Sequence, residues 1–222
     1  MPKAAVAEAV LERLDERRRS VAANSEAIYR AVREAAAAGA RGGIEAGLLR
    51  ELEQITAGNA SLRSKLRRLQ GLMSRTRAVA APHVPCRKGC SACCHLQVEI
   101  SQVEAEMIGE ATGRRPQTLQ PGFQATPKEQ LGRSDTPCPF LLDNACSIYE
   151  IRPLVCRNHM IADVDNLLCG FDNLALAMAQ DERAVPLPLF DAGPVFRAYR
   201  SLNLARKQAW ADIRQFFPAA GA

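Results

Sequence analysis

No stretch of this 222-residue chain approaches 18 consecutive apolar residues, which argues against a membrane-spanning helix. The N-terminal segment carries Glu8, Glu12, Asp15 and Glu16 and lacks the uninterrupted apolar core of an export signal. No glycine-rich loop follows a strand pattern, so a nucleotide cradle is not expected. The first 85 residues hold no cysteine, and all eight cysteines lie between Cys86 and Cys169. Charge is divided along the same line: residues 1–80 carry 15 basic and 9 acidic side chains, residues 81–222 carry 14 and 15. Two compositional regimes imply two modules, 1–80 and 84–217. With neither an export signal nor a span, the expected compartment is the cytoplasm. Thiols stay reduced there, and a cysteine pattern reads as metal-binding or catalytic rather than as disulfides.

The front module reads as helix. Ala7, Leu14, Val21, Ile28 and Ala35 recur every seven residues, with Arg18 and Ser25 interrupting the stripe. Gly39, Gly42 and Gly43 form a turn signal. A second stripe follows through Leu48, Leu52, Ile55, Asn59, Leu62, Leu66, Leu69 and Met73, alternating steps of four and three. The spacing predicts an antiparallel helical hairpin, 3–38 and 44–77, packing its own stripes together or pairing with a second copy or another protein. Asn59 is expected on the inner seam, where an amide can set register. Arg63, Lys65, Arg67, Arg68, Arg75 and Arg77 make the second helix cationic. No aromatic residue is interleaved with them and no nucleic-acid motif accompanies them, so a solvated face is favoured over nucleic-acid contact.

The cysteines form two clusters. Cys86, Cys90, Cys93 and Cys94 stand in the order C-x3-C-x2-C-C, and Cys138, Cys146 and Cys156 follow, with Cys169 twelve intervening residues beyond Cys156. Short spacings turn successive thiolates toward one centre, at about 2.3 Å from zinc or iron. All eight are candidate ligands for zinc or iron, including a 4Fe-4S centre. Gly89 suits the bend before Cys90. Neighbouring Cys93 and Cys94 project differently, so either they serve two centres or one of them is not a ligand. His83, His95 and His159 could each replace a thiolate. Cys169, between Leu168 and Gly170, could instead be a small buried hydrophobe. Asp143-Asn144 is a hairpin turn that would set Cys138 across a short ribbon from Cys146. Arg157, next to Cys156, is expected to offset thiolate charge, while Arg152 could do the same or pair with Asp143 or Glu150.

Cys86, Cys90 and Cys93 alone are similar to the cysteine triad of radical S-adenosylmethionine enzymes. The chain lacks that family's alternating strands and helices, however, and has Ala92 where an aromatic is usual. The full set, with Ile148, Tyr149, Arg152, Pro153 and Arg157, resembles the YkgJ-type cysteine-cluster family over residues 84–160. That resemblance implies a bacterial protein with a zinc- or iron-holding domain. Flagellin lysine methylases share the cluster, which implies, as an alternative, an iron–sulfur enzyme that modifies protein side chains with S-adenosylmethionine.

Further helices are expected from the Ser101/Glu104 capping box to about Thr112, over 171–180, and over 194–217. Residues 78–85 read as a linker and 114–137 as a long loop that could cover the metal. The expected fold is mainly α: an N-terminal helical hairpin and an α/irregular cysteine domain with a short β-ribbon.

Overall fold

The structure, a computed structural model, describes residues 6–38, 44–125, 136–191 and 193–218. It is mainly α. Helices α1 (Glu8–Ala38), α2 (Ile44–Ala57), α3 (Leu62–Ala80) and α4 (Gln102–Thr112) come first, and α5 (Leu154–Asn158), α6 (Phe171–Met178), α7 (Gly193–Ala205) and α8 (Ile213–Phe216) follow. Strand β5 (Ala209–Asp212) is the centre of a small sheet, antiparallel to β1 (Glu99–Ser101) and parallel to β2 (Gly122–Phe123). Strands β3 (Leu141–Leu142) and β4 (Ala145–Cys146) form a separate ribbon. Among the described residues no helix is long and apolar enough to cross a membrane. The turn expected at 39–43 and the loop centre at 126–135 lie outside the described residues.

The second heptad stripe is broken between α2 and α3. Gly58 follows the end of α2, its N–H bonding back to the Gln54 carbonyl at 3.1 Å. Ser61 then caps α3 by accepting from the Ser64 N–H at 3.2 Å. Lys65 is buried and donates to the Thr56 carbonyl at 2.6 Å, satisfying the C-terminus of α2. Asn59 therefore sits exposed in the break and not on a seam. Local capping chemistry outweighs the continuous period here. Ile55, Leu66, Leu69 and Met73 are buried against Leu154 of α5, Val195 and Tyr199 of α7, and Trp210 of β5. The stripe is thus covered by helices of the cysteine half of the chain. Helix α1 lays Leu14 onto Leu168, Leu176 and Val185. Arg17 anchors it there by pairing with buried Asp163 and with Asp165 at 2.9 Å.

The helix expected over 194–217 stops at Ala205. Lys207 takes a left-handed φ of 48°, and residues 209–212 become the central strand, buried at every position. The amphipathic stripe through Val195 and Tyr199 belongs to a helix. Trp210, in contrast, packs from a strand, because tertiary burial on both faces overrides the local period. At α4 the capping box is present, with Ser101 accepting from the Glu104 N–H at 3.3 Å. Glu104 does more than cap. It is 1 % exposed, and its carboxylate accepts from Gln70 of α3 at 2.9 Å, from the Leu154 N–H at 2.9 Å and from the Tyr199 hydroxyl. One carboxylate thereby ties α3, α4, α5 and α7 together beneath the cysteine half.

Candidate metal centre

Four separate stretches of chain bring the cysteines together. Gly89, at φ 92°, allows the bend that carries the chain from Cys86 into Cys90, whose N–H closes a turn on the Arg87 carbonyl at 3.1 Å. Cys93 and Cys94 lie on a single 3-10 turn, Ala92–His95. With three residues per turn, their side chains point about 120° apart. The Cys138 N–H donates to the Cys94 carbonyl at 2.7 Å, fastening the second cluster to the first. Asp143 and Asn144, at φ 47° and 56°, make the β3–β4 turn. In that ribbon Cys146 pairs with Leu141; Cys138 lies before the ribbon and is not the cross-strand partner of Cys146. Cys156 is mid-way along α5, and Cys169 ends a short 3-10 turn, Leu167–Cys169.

All eight cysteines line one narrow cavity of about 50 Å³, together with His159, Arg77, Arg87 and Arg152. All eight carry free thiols. Cys169 is buried at 6 % exposure, but it faces this cavity and not the apolar core alone. Residues 85–174 match the family model described as CxxCxxCC, putative zinc- or iron-chelating domain. Over this segment the chain is similar to that family. No curated protein and no solved structure gives a significant match to the chain.

The chemistry of the CxxCxxCC domain follows from how its thiols are crowded. Burial raises the pKa values of Cys86 and Cys156 and pushes Cys138 to about 11 and Cys169 to about 12. The Cys94 thiol, by contrast, hydrogen-bonds to Cys93 and Cys146, drawing Cys93 down to about 7 and Cys146 to about 6 while its own value rises. Where burial first and neighbouring thiolates second oppose ionisation, as at Cys156 and Cys169, a divalent cation relieves the cost by deprotonating the thiols it coordinates. Backbone donors are already aimed at sulfur: the Phe140 N–H at Cys138, the Ile148 N–H at Cys146 and the Ile161 N–H at Cys86. Such bonds steady thiolate ligands. His159 Nε2 is buried without a hydrogen-bond partner, and burial together with nearby Arg77 holds its imidazole neutral. These donors fit a thiophilic ion. As the side chains stand, no three His, Cys, Asp or Glu among the described residues form a ready-made cage. Tetrahedral coordination at about 2.3 Å sets sulfurs about 3.8 Å apart, so the thiols must close in on an ion.

The other sequence candidates divide. His95 packs edge-on against Phe171 at 4.5 Å between centroids, and His83 borders a wider neighbouring hollow with Arg87, Cys90 and Asp165. Arg152 lies 3.9 Å over the Tyr149 ring and attracts the thiolates of Cys93 and Cys146, so it serves the thiols and not a carboxylate. Arg157 does not line the cavity, although its charge is still felt by Cys156. It ties down the Arg152 and Glu150 carbonyls, at 2.8 and 2.6 Å, and the Ser74 hydroxyl at 2.6 Å.

The cations that sequence reasoning missed are Arg77 and Arg214. Arg77 is 7 % exposed and holds the His159 and Cys86 carbonyls at 3.2 and 3.3 Å. Its signal was a charge four residues after Met73, on the buried stripe. Arg214 is paired with buried Asp212 at 2.9 Å and donates to the Cys94 carbonyl at 3.2 Å and the Thr136 carbonyl at 2.7 Å. The remaining cations of α3 are dispersed. Arg63 pairs with Glu106 and Glu110, and Arg75 pairs with Glu51.

Proposed function

We propose that this protein is a thiolate metal binder in which the cysteines of the CxxCxxCC domain hold zinc or iron, with His159 as an auxiliary donor. The observation that carries this reading is the convergence of all eight cysteines, from four separate stretches of chain, on one cavity. A bound ion would cross-link loops that have little regular structure of their own, contributing directly to folding free energy. Free thiols and the absence of a helix fit for a membrane among the described residues are compatible with a reducing cytoplasm. On this reading α1–α3 form the scaffold that seals the cysteine half. The exposed remainder of α3, around Arg67 and Arg68, is where a partner of opposite charge would dock.

Anaerobic purification followed by metal analysis and an absorption spectrum tests the proposal. Stoichiometric zinc in a colourless protein, or iron without labile sulfide, is the expected result. Four irons with labile sulfide would replace single ions by a cluster and reopen the iron–sulfur enzyme reading. Protein that binds no metal when supplied with zinc or iron under reducing conditions would overturn the proposal.

A further inference from the structure

The eight thiols do not form one undivided group. Cys94 and Cys138 are buried in the apolar cluster built on Ile100, Ile108 and Phe216, and Cys146 and Cys156 pack against that same cluster. Cys94 and Cys138 are joined by the 2.7 Å backbone bond, and the Cys94 thiol bonds to Cys146 and, across the boundary of the group, to Cys93. Cys86, Cys90, Cys93 and Cys169 are outside the cluster. Cys169 has Cys86, Cys90 and Cys93 as its thiol neighbours, and Cys86 has Cys90 and Cys93. The boundary falls between adjacent residues. Cys93 and Cys94 leave their 3-10 turn about 120° apart, with their thiols hydrogen-bonded to each other, so Cys93 is the seam where the outer set meets the inner one.

We infer that the domain builds two four-thiolate sites side by side, an inner one from Cys94, Cys138, Cys146 and Cys156 and an outer one from Cys86, Cys90, Cys93 and Cys169. The inference rests on the metal-binding reading above and deepens it. Each divalent ion with four thiolates carries a net charge of about −2, and the cations are shared out accordingly. Arg77 faces Cys86 and Cys93 of the outer set. Arg214 faces Cys138 of the inner set, and Arg152 stands at the seam between Cys93 and Cys146. The inner site is enclosed by the sheet and α8. The outer site borders, at Cys90, an open hollow of about 400 Å³ lined by His83, Val164 and Asn166, so its ion exchanges first.

The full chain, refolded or purified under reducing conditions with zinc alone and then held against a competing chromophoric chelator, tests this by counting ions. The wild type is expected to hold two ions per chain. Cys90→Ser, Cys169→Ser and their double variant each retain one, because the lost thiols belong to one site. Cys169→Ser combined with Cys146→Ser retains none. Cadmium NMR of the loaded wild type shows two resonances of all-thiolate character, a readout that does not depend on any variant folding. One ion per wild-type chain, one cadmium resonance, or a Cys90/Cys169 double variant that loses both ions overturns the division into two sites while leaving metal binding intact. A wild type that binds neither zinc nor iron(II) supplied under the same conditions overturns both the division and the function it rests on.

Discussion

Replacing Arg17 with methionine is expected to undock α1 from the cysteine half of the protein. The Arg17 side chain is 12 % exposed and Asp163 is 0 % exposed, with the more open Asp165, at 45 %, completing the fork. Methionine keeps the apolar stem but leaves the Asp163 carboxylate buried without its cation. Removing one partner of such a pair costs about 3–5 kcal/mol, whereas the half-exposed Asp165 contact adds less than about 1 kcal/mol. For a chain of this size each kcal/mol lowers the melting temperature by about 2–4 °C, giving an expected fall of about 6–20 °C. Far-UV circular dichroism melts at neutral pH measure it. Asp163→Asn supplies the control: its cost should be much smaller when Arg17 is already replaced than when Arg17 is present, the sign of a coupled pair. A melting point within about 2 °C of wild type, or an Asp163→Asn cost indifferent to residue 17, would refute the reasoning. Asp165, held below the usual carboxylate range by the Arg17 hydrogen bond, contributes stability that is lost as pH falls, so the wild-type advantage should shrink in acid.

Three further outcomes follow from the thiol cavity and its supports. Arg77→Met should weaken zinc binding by about 10–100-fold in chelator competition, since it removes the cation beside Cys86 and Cys93; unchanged affinity would exclude that role. In metal-stripped, reduced protein at pH 7.5, iodoacetamide should label Cys146 (about 6) and Cys93 (about 7) before Cys138 (about 11) and Cys169 (about 12), and zinc should suppress all labelling. Peptide mass spectrometry reads the order, and an inverted order would sink the assignment. Burial raises the Glu104 pKa, so its ionised form costs stability as pH rises above the unfolded value. The stability difference between wild type and Glu104→Gln, from urea titrations, should therefore move in favour of wild type as pH is lowered from 7.5 to 5. A pH-independent difference would show that Glu104 does not titrate in that window.

Features set by local chemistry were legible in the sequence. The Ser101 cap, the Asp143-Asn144 turn, the bend at Gly89 and the apolar stripe through Leu66 and Met73 each depend on a few adjacent residues, and each is present. Other features depended on what packs from a distance. A period that ran past Gly58 could not show that α2 and α3 are capped separately. The stripe through Tyr199 could not show that Trp210 would be claimed by a sheet whose other strands are about 90 and 110 residues away in sequence.

The sequence by itself determined most of the helices, the local turns and the thiol chemistry, because helix period, turn residues and sulfur are properties of neighbouring positions. Only the tertiary structure decided which groups serve the cavity. Arg157 is held by backbone carbonyls outside the cavity lining, while Arg77, read from sequence as one of a row of helical charges, and Arg214, which the sequence did not single out, are brought to the cysteines by the burial of α3 and by the Asp212 pair. Long-range packing sets the direction in which a charged side chain points, and that direction leaves no local trace in the sequence.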